Sequence, residues 1–387
     1  MWETWREEMR QWEGVRWRQW FEEHAQRRSA EEERSRRAAA EGRRRVEQER
    51  QRLGIAKDDH EGLAELRRAD RVEHPERDLL RQEWQRRRAV RAQRVQTYPL
   101  LPLRHHADLA PADGEHHELV SVGFGPAGQA LAVWQRKGGQ ATEVSYHSPD
   151  GRPGQSTPLP AQPRRNAVQP LPGGQVLLVS ARCRRGEHNA AVYDEAGQLV
   201  RSAHLGDGIE HVLSTPTGAV WTGYFDEGVF AMSGVSTHGL VRFGADLSPQ
   251  WLHPLPAGPE LPAVDDCSAL NVHGERAWMC AYASFHLVSV EGQRARDHGQ
   301  VPFSGAHALL IDGARAAMVG GYDGERHAIT PLQLSSEGLR LAGPPRRLVL
   351  PDGSPVPAAR YSARGAQLHV AVGACWYRLD LEDITSG

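Results

Sequence analysis

Leu119-Val120-Ser121-Val122-Gly123-Phe124-Gly125-Pro126-Ala127-Gly128-Gln129-Ala130-Leu131-Ala132-Val133 decides the fold. It reads as an apolar strand, a tight glycine turn and a second apolar strand. The unit returns at Ala167 to Ser180 around Pro172-Gly173-Gly174, and at His211 to Gly223 around Pro216-Thr217-Gly218. Three later copies turn at His273-Gly274, Asp312-Gly313 and Arg364-Gly365. The turn glycines at 128, 174, 218, 274, 313 and 365 are spaced by 39 to 56 residues. That spacing suits four-stranded propeller blades, which repeat roughly every 40–50 residues.

A third strand follows each pair, as in Ala190-Ala191-Val192-Tyr193-Asp194, Gly239-Leu240-Val241-Arg242-Phe243 and Phe285-His286-Leu287-Val288-Ser289-Val290. The sixth copy ends after Cys375-Trp376-Tyr377-Arg378-Leu379-Asp380-Leu381, one strand short. A ring with an open seam exposes an unpaired edge, so the missing strand is expected from Tyr98 to Leu103 or the residues just after. The predicted fold is all-β, a six-bladed β-propeller over 98–387, preceded by a charged α-helical, coiled-coil-like segment over 1–97.

That first segment obeys different physics. From Trp2 to Arg52 there is no proline, and nearly every residue is a competent helix former. Trp2, Trp5, Met9 and Trp12 recur at spacings of three and four, which places them on one helical face. Trp17 and Trp20 continue the stripe with a shifted phase. Exposed aromatics at such density call for a cover, which makes these six residues a candidate partner-binding or oligomerising surface. Packing against the protein's own propeller or its other helices explains the stripe equally well. Residues 1–98 hold 25 basic against 21 acidic side chains, so the glutamates cancel most of the field that a nucleic-acid backbone would need. Nucleic acid is therefore a disfavoured partner.

The formal net charge is −2, and no stretch has the apolar length of a membrane span. The opening Met1-Trp2-Glu3-Thr4-Trp5-Arg6 lacks the pattern of a secretory signal. Cys183, Cys267, Cys280 and Cys375 form no C-x-x-C pair. A cytoplasmic protein with reduced thiols and no membrane partner is expected.

In a propeller, the loops entering the first strands and the turns between second and third strands share one face around the central channel. Register then nominates Asn166, Glu210, His211, Asp266, His307 and Arg360 from the first set. Arg182, Tyr224, Asp226, Glu227, Tyr282 and Tyr322 come from the second. Such a mouth suits a polar small ligand, a protein segment or a divalent metal; no organic cofactor is predicted. A wet channel makes polar residues usual there even without a function, and Asp226-Glu227-Gly228 also reads as hairpin chemistry.

The repeat resembles bacterial six-bladed propellers of the NHL and gluconolactonase-like group, and the phrases Trp221-Thr222-Gly223-Tyr224-Phe225-Asp226-Glu227-Gly228-Val229-Phe230 and Gly239-Leu240-Val241-Arg242-Phe243 are similar to those of propeller-like proteins from high-GC bacteria. The resemblance covers about 99–387 and bears on fold more than on activity. A gluconolactonase-like reaction would imply a metal held by inner-strand carboxylates and amides, for which Glu210, Asn166 and Asp266 are the nearest set. Their order does not reproduce that family's pattern. No G-x-S-x-G, H-E-x-x-H or phosphate-binding glycine loop occurs. A binding or interaction role thus ranks above a metal-dependent hydrolase or lactonase, with nucleic-acid binding through the Arg/Trp helix last.

Overall fold

The computed structural model describes residues 44, 47–53, 85–86, 89–111, 117–136, 142–160, 167–184, 186–231, 234–255 and 260–385. They fall into two compact units: one holds the described residues up to Thr97 with Pro302–Ser304 and Asp323–Glu325, the other the remainder from Tyr98. In the first, residues 47–52 and 89–96 are helical. The tryptophan stripe from Trp2 to Trp20, Asn166 and most of the expected arm over 1–97 lie outside the described residues.

The second unit is all-β, with two entering strands, β1 (Leu100–Pro102) and β2 (Arg104–Asp108). After them, four-stranded antiparallel meanders follow in order. The first comprises β3 (His117–Phe124), β4 (Ala130–Arg136), β5 (Thr142–His147) and β6 (Pro153–Leu159). The second comprises β7 (Ala167–Pro170), β8 (Val176–Val179), β9 (Ala190–Tyr193) and β10 (Leu199–Ala203). The third holds β11 (Ile209–Ser214), β12 (Val220–Tyr224), β13 (Leu240–Phe243) and β14 (Pro249–Leu252). The fourth holds β15 (Asp266–His273), β16 (Arg276–Tyr282), β17 (His286–Glu291) and β18 (Arg294–Gln300).

The fifth meander is irregular at its outer edge. After β19 (Ala306–Asp312) and β20 (Arg315–Gly320), the long β21 (Ala328–Ser335) pairs with both β22 (Gly338–Leu341) and β23 (Arg346–Val349). The sixth has β24 (Arg360–Arg364), β25 (Gln367–Val372) and β26 (Cys375–Asp380). Its fourth strand is β2, antiparallel to β26, with Arg104 opposite Arg378. The closing strand thus comes from just beyond Leu103, while Leu100–Pro102 instead adds parallel to β23 of the fifth meander.

First strands pack on first strands in cyclic order: β3 on β7, β7 on β11, β11 on β15, β15 on β19, β19 on β24, and β24 on β3. Second strands are consequently covered on both faces. Val176–Val179, Val-Leu-Leu-Val, is buried throughout, a continuous apolar run rather than an alternation. The core sits between neighbouring meanders: Trp221 packs between the third and fourth, and Trp376 between the sixth and first.

Where the first strands end, a buried polar hub joins the ring. Arg364, only 5% exposed, donates from Nε to the Phe124 carbonyl at 2.8 Å and from Nη1 to the Ser214 carbonyl at 2.8 Å. Its Nη2 donates to Gln169 Oε1. Asn271 completes the circle, donating to the carbonyls of Leu309 (2.6 Å) and Gly365 (2.9 Å) and accepting from the Gly365 N–H (2.8 Å). Each of the six meanders contributes one of these groups. Gly365 makes the approach feasible, because its φ is +55° and a Cβ would lie 2.5 Å from His273 Nδ1.

Candidate functional site

The mouth lies at the other end of the first strands, where β11, β15, β19 and β24 begin. His307, second residue of β19, donates from Nε2 to the Arg326 carbonyl at 2.9 Å, which leaves its Nδ1 lone pair unspent. Burial pushes its imidazole down to about 4, with Arg326, His327 and His211 adding repulsion. The Tyr361 ring lies 4.9 Å from that of His307, and its hydroxyl meets His327 Nδ1 at 2.6 Å. Burial raises the Tyr361 phenol well above its ordinary range, so it stays a donor.

His211 approaches the same place from β11. It rests against the Cys267–Ser268 backbone, close enough to His307 for their charges to interact. Backbone hydrogen bonding to Ser268 and Cys267 favours its charged form, although Nε2 is buried and makes no bond of good geometry. Desolvation lowers its pKa, with Glu210 opposing. Glu210 itself is exposed beside it. Arg360 is spent on the ring: it donates to the Val120 carbonyl at 2.8 Å and to Ser121 Oγ at 3.4 Å.

A second cluster forms between the second and third meanders. Arg182 binds Asp207 through both carboxylate oxygens, at 3.0 and 3.2 Å, and also pairs with Glu227. Its guanidinium sits 5.6 Å from the Phe225 ring centroid. The two sequence-nominated residues Arg182 and Glu227 therefore meet, in a group of one guanidinium and two carboxylates that carries a net charge of −1. Asp226 and Glu227 open a short helix, α1 (Asp226–Val229), rather than a hairpin turn.

Tyr224 is not a mouth residue. It is 0% exposed and its hydroxyl donates to the Leu205 carbonyl, because the end of β12 is roofed by the loop before β11. Asp266 pairs in register with Tyr282, whose ring packs edge-on against Phe285 at 5.3 Å. The backbone of Tyr322 lies against Gly305, two residues before His307.

Of the metal set implied by the resemblance, Glu210 and Asp266 are described and Asn166 is not. Among the described residues no three His, Cys, Asp or Glu side chains converge as a metal-binding group. Glu210 and Asp266 belong to no such set. Sequence reading missed Tyr361, His327 and Arg326; the register of the repeats pointed at Arg360 and gave no cue to its neighbour. All four cysteines are free thiols, and no helix among the described residues is long and apolar enough to cross a membrane.

No family model and no curated protein matches this chain. Solved structures with a similar arrangement include the β-propeller domain of the Trilobed protease from Pyrococcus furiosus, at 8% identity and a TM-score of 0.38, covering 66% of this chain and 79% of that one. Virginiamycin B lyase from Staphylococcus aureus, as an inactive variant, gives 9% identity and a TM-score of 0.38 over 70% of this chain and 98% of that one. The PQQ-bound aldose sugar dehydrogenase from Streptomyces coelicolor gives 12% identity and 0.37 over 69% and 97%.

Proposed function

We propose that the chain is a six-bladed β-propeller working as a binding module, with a polar ligand or protein segment engaged at the mouth around His211 and His307. The cyclic packing of β3, β7, β11, β15, β19 and β24 supports the blade count. The observation that carries the binding role is the cluster where β19 and β24 begin, with the Tyr361 ring 4.9 Å from that of His307 and its hydroxyl 2.6 Å from His327 Nδ1. Residues 1–97 then form an arm for assembly or docking through Trp2, Trp5, Met9, Trp12, Trp17 and Trp20, in a cytoplasmic protein.

The test is a thermal-shift panel of citrate, glutamate and glucose on the intact protein and on His211→Phe/His307→Phe. At least one compound should raise the melting temperature of the parent and leave the double variant unmoved. Equal responses in both proteins, or none in either, would refute the mouth as the site. Elemental analysis decides the competing hydrolase reading: a stoichiometric divalent metal lost from Glu210→Gln/Asp266→Asn would replace the binding role. Light scattering with and without residues 1–97 tests the arm, and an unchanged oligomeric state would count against it.

A further inference from the structure

Between the first and second meanders, at the hairpin end and away from the mouth, lies a cleft of about 410 Å³. Its volume falls in the range of small-ligand sites, roughly 300–1,000 Å³. The floor is apolar, with Leu131 and Val144 both nearly inaccessible. One wall is Tyr146, whose ring is 37% exposed and lies across Gly154, where a Cβ would come within 2.7 Å of Tyr146 Cδ1. Cross-strand support of this kind holds an aromatic face in place without hiding it.

The opposite wall carries a carboxylate. Glu195 lies over Gly174, where a Cβ would stand 2.0 Å from Glu195 Oε1, and its backbone is tied to the first meander by Thr157 Oγ1 at 3.3 Å. The Glu195 side chain has no ion pair or hydrogen bond among the described residues, unlike Glu227 or Glu275. Two amides edge the same space. Gln129 Oε1 accepts from the Ala127 N–H at 3.0 Å, and Gln175 Oε1 accepts from Arg201 Nη1 at 3.1 Å. Each oxygen has accepted one bond, so each amide keeps its NH₂ group and a second lone pair to offer. Arg201, the cation on Gln175, also faces Asp246 of the third meander.

An apolar floor, an aromatic face, a lone carboxylate and two amide donors suit one chemistry. An arginine side chain lays its aliphatic stem on apolar surface, stacks its planar cation on an aromatic ring and pairs with a carboxylate. Amide NH₂ groups beside it suit the carbonyls of an extended peptide. We propose that this cleft receives an arginine side chain of a partner peptide, its guanidinium between Tyr146 and Glu195 and its neighbouring carbonyls on Gln129 and Gln175. This site is separate from the mouth and stands or falls without it.

Calorimetric titration of the full chain with an acetylated Gly-Gly-Arg-Gly-Gly amide tests the assignment, with the citrulline peptide as a neutral isostere. The arginine peptide should saturate with a Kd below about 5 mM, and the citrulline peptide should bind about tenfold more weakly. Glu195→Gln should lose about tenfold, Tyr146→Ala several-fold and Tyr146→Phe almost nothing. Both positions are solvent-facing, and matched melting curves will confirm that the variants are folded. Equal affinity for the two peptides, unchanged binding by Glu195→Gln, or no saturation by about 20 mM would overturn the proposal.

Discussion

Replacing Arg364 with methionine keeps much of the side chain's length and removes the cation that holds Phe124, Gln169 and Ser214 together. Three hydrogen bonds from a charged donor, at ~1.5–3 kcal/mol each, contribute roughly 7 kcal/mol. Against this, no carboxylate partners Arg364 among the described residues, and burial pushes its guanidinium down to about 9. That displacement corresponds to about 5 kcal/mol of desolvation, which methionine relieves. The carbonyls of Phe124 and Ser214 would then be stranded in a dry hub, costing ~2 kcal/mol together. The net loss is about 4 kcal/mol. For a domain of this size it corresponds to a melting temperature lower by about 8 °C. Calorimetry at pH 7.5 on the parent, Arg364→Met and Arg364→Lys gives the measurement. Lysine, with the charge but not the fork, should lose about half as much. A methionine variant melting within ~2 °C of the parent would refute the hub as a source of stability.

Two further outcomes follow from the mouth and the seam. His307 has a folded pKa depressed to about 4 from 6.5, so its neutral form contributes stability that is full above pH 6.5 and is lost as pH falls through about 4. His307→Gln should flatten that part of the stability profile, measured by urea unfolding between pH 7 and 4; an unchanged slope would remove His307 as its source. Deleting residues 1–108 should destabilise the propeller far more than deleting 1–97, because only the longer deletion removes the strand paired with Cys375–Asp380. Indistinguishable proteolysis rates for the two truncations would contradict the pairing.

The meanders were legible because their signals are local: a glycine between two apolar runs fixes a hairpin wherever it occurs. The seam was legible as well, since a last copy one strand short requires a donor from elsewhere. Tyr224 was misleading for a physical reason. An aromatic at the end of a second strand can face the mouth or the core, and only the position of the Leu205 carbonyl decides. Arg364 was hidden more deeply. An arginine before glycine in a tight turn reads as solvated; its burial exists only because six first strands meet there. Glu195 and Tyr146 were equally silent, being brought to one cleft by packing between meanders that no single stretch of sequence encodes.

The entering segment also orders events during synthesis. Leu100–Pro102 pairs with Arg347–Val349, and Arg104 reaches Asp383, a residue 279 positions later. A ribosome therefore releases β1 and β2 long before their partners exist. Meanders one to four can assemble as they emerge, while this early stretch waits with its backbone groups solvated. The ring closes only when β26 has left the exit tunnel, so a chain stalled shortly before Cys375 presents a bare strand edge that a quality-control protease can recognise.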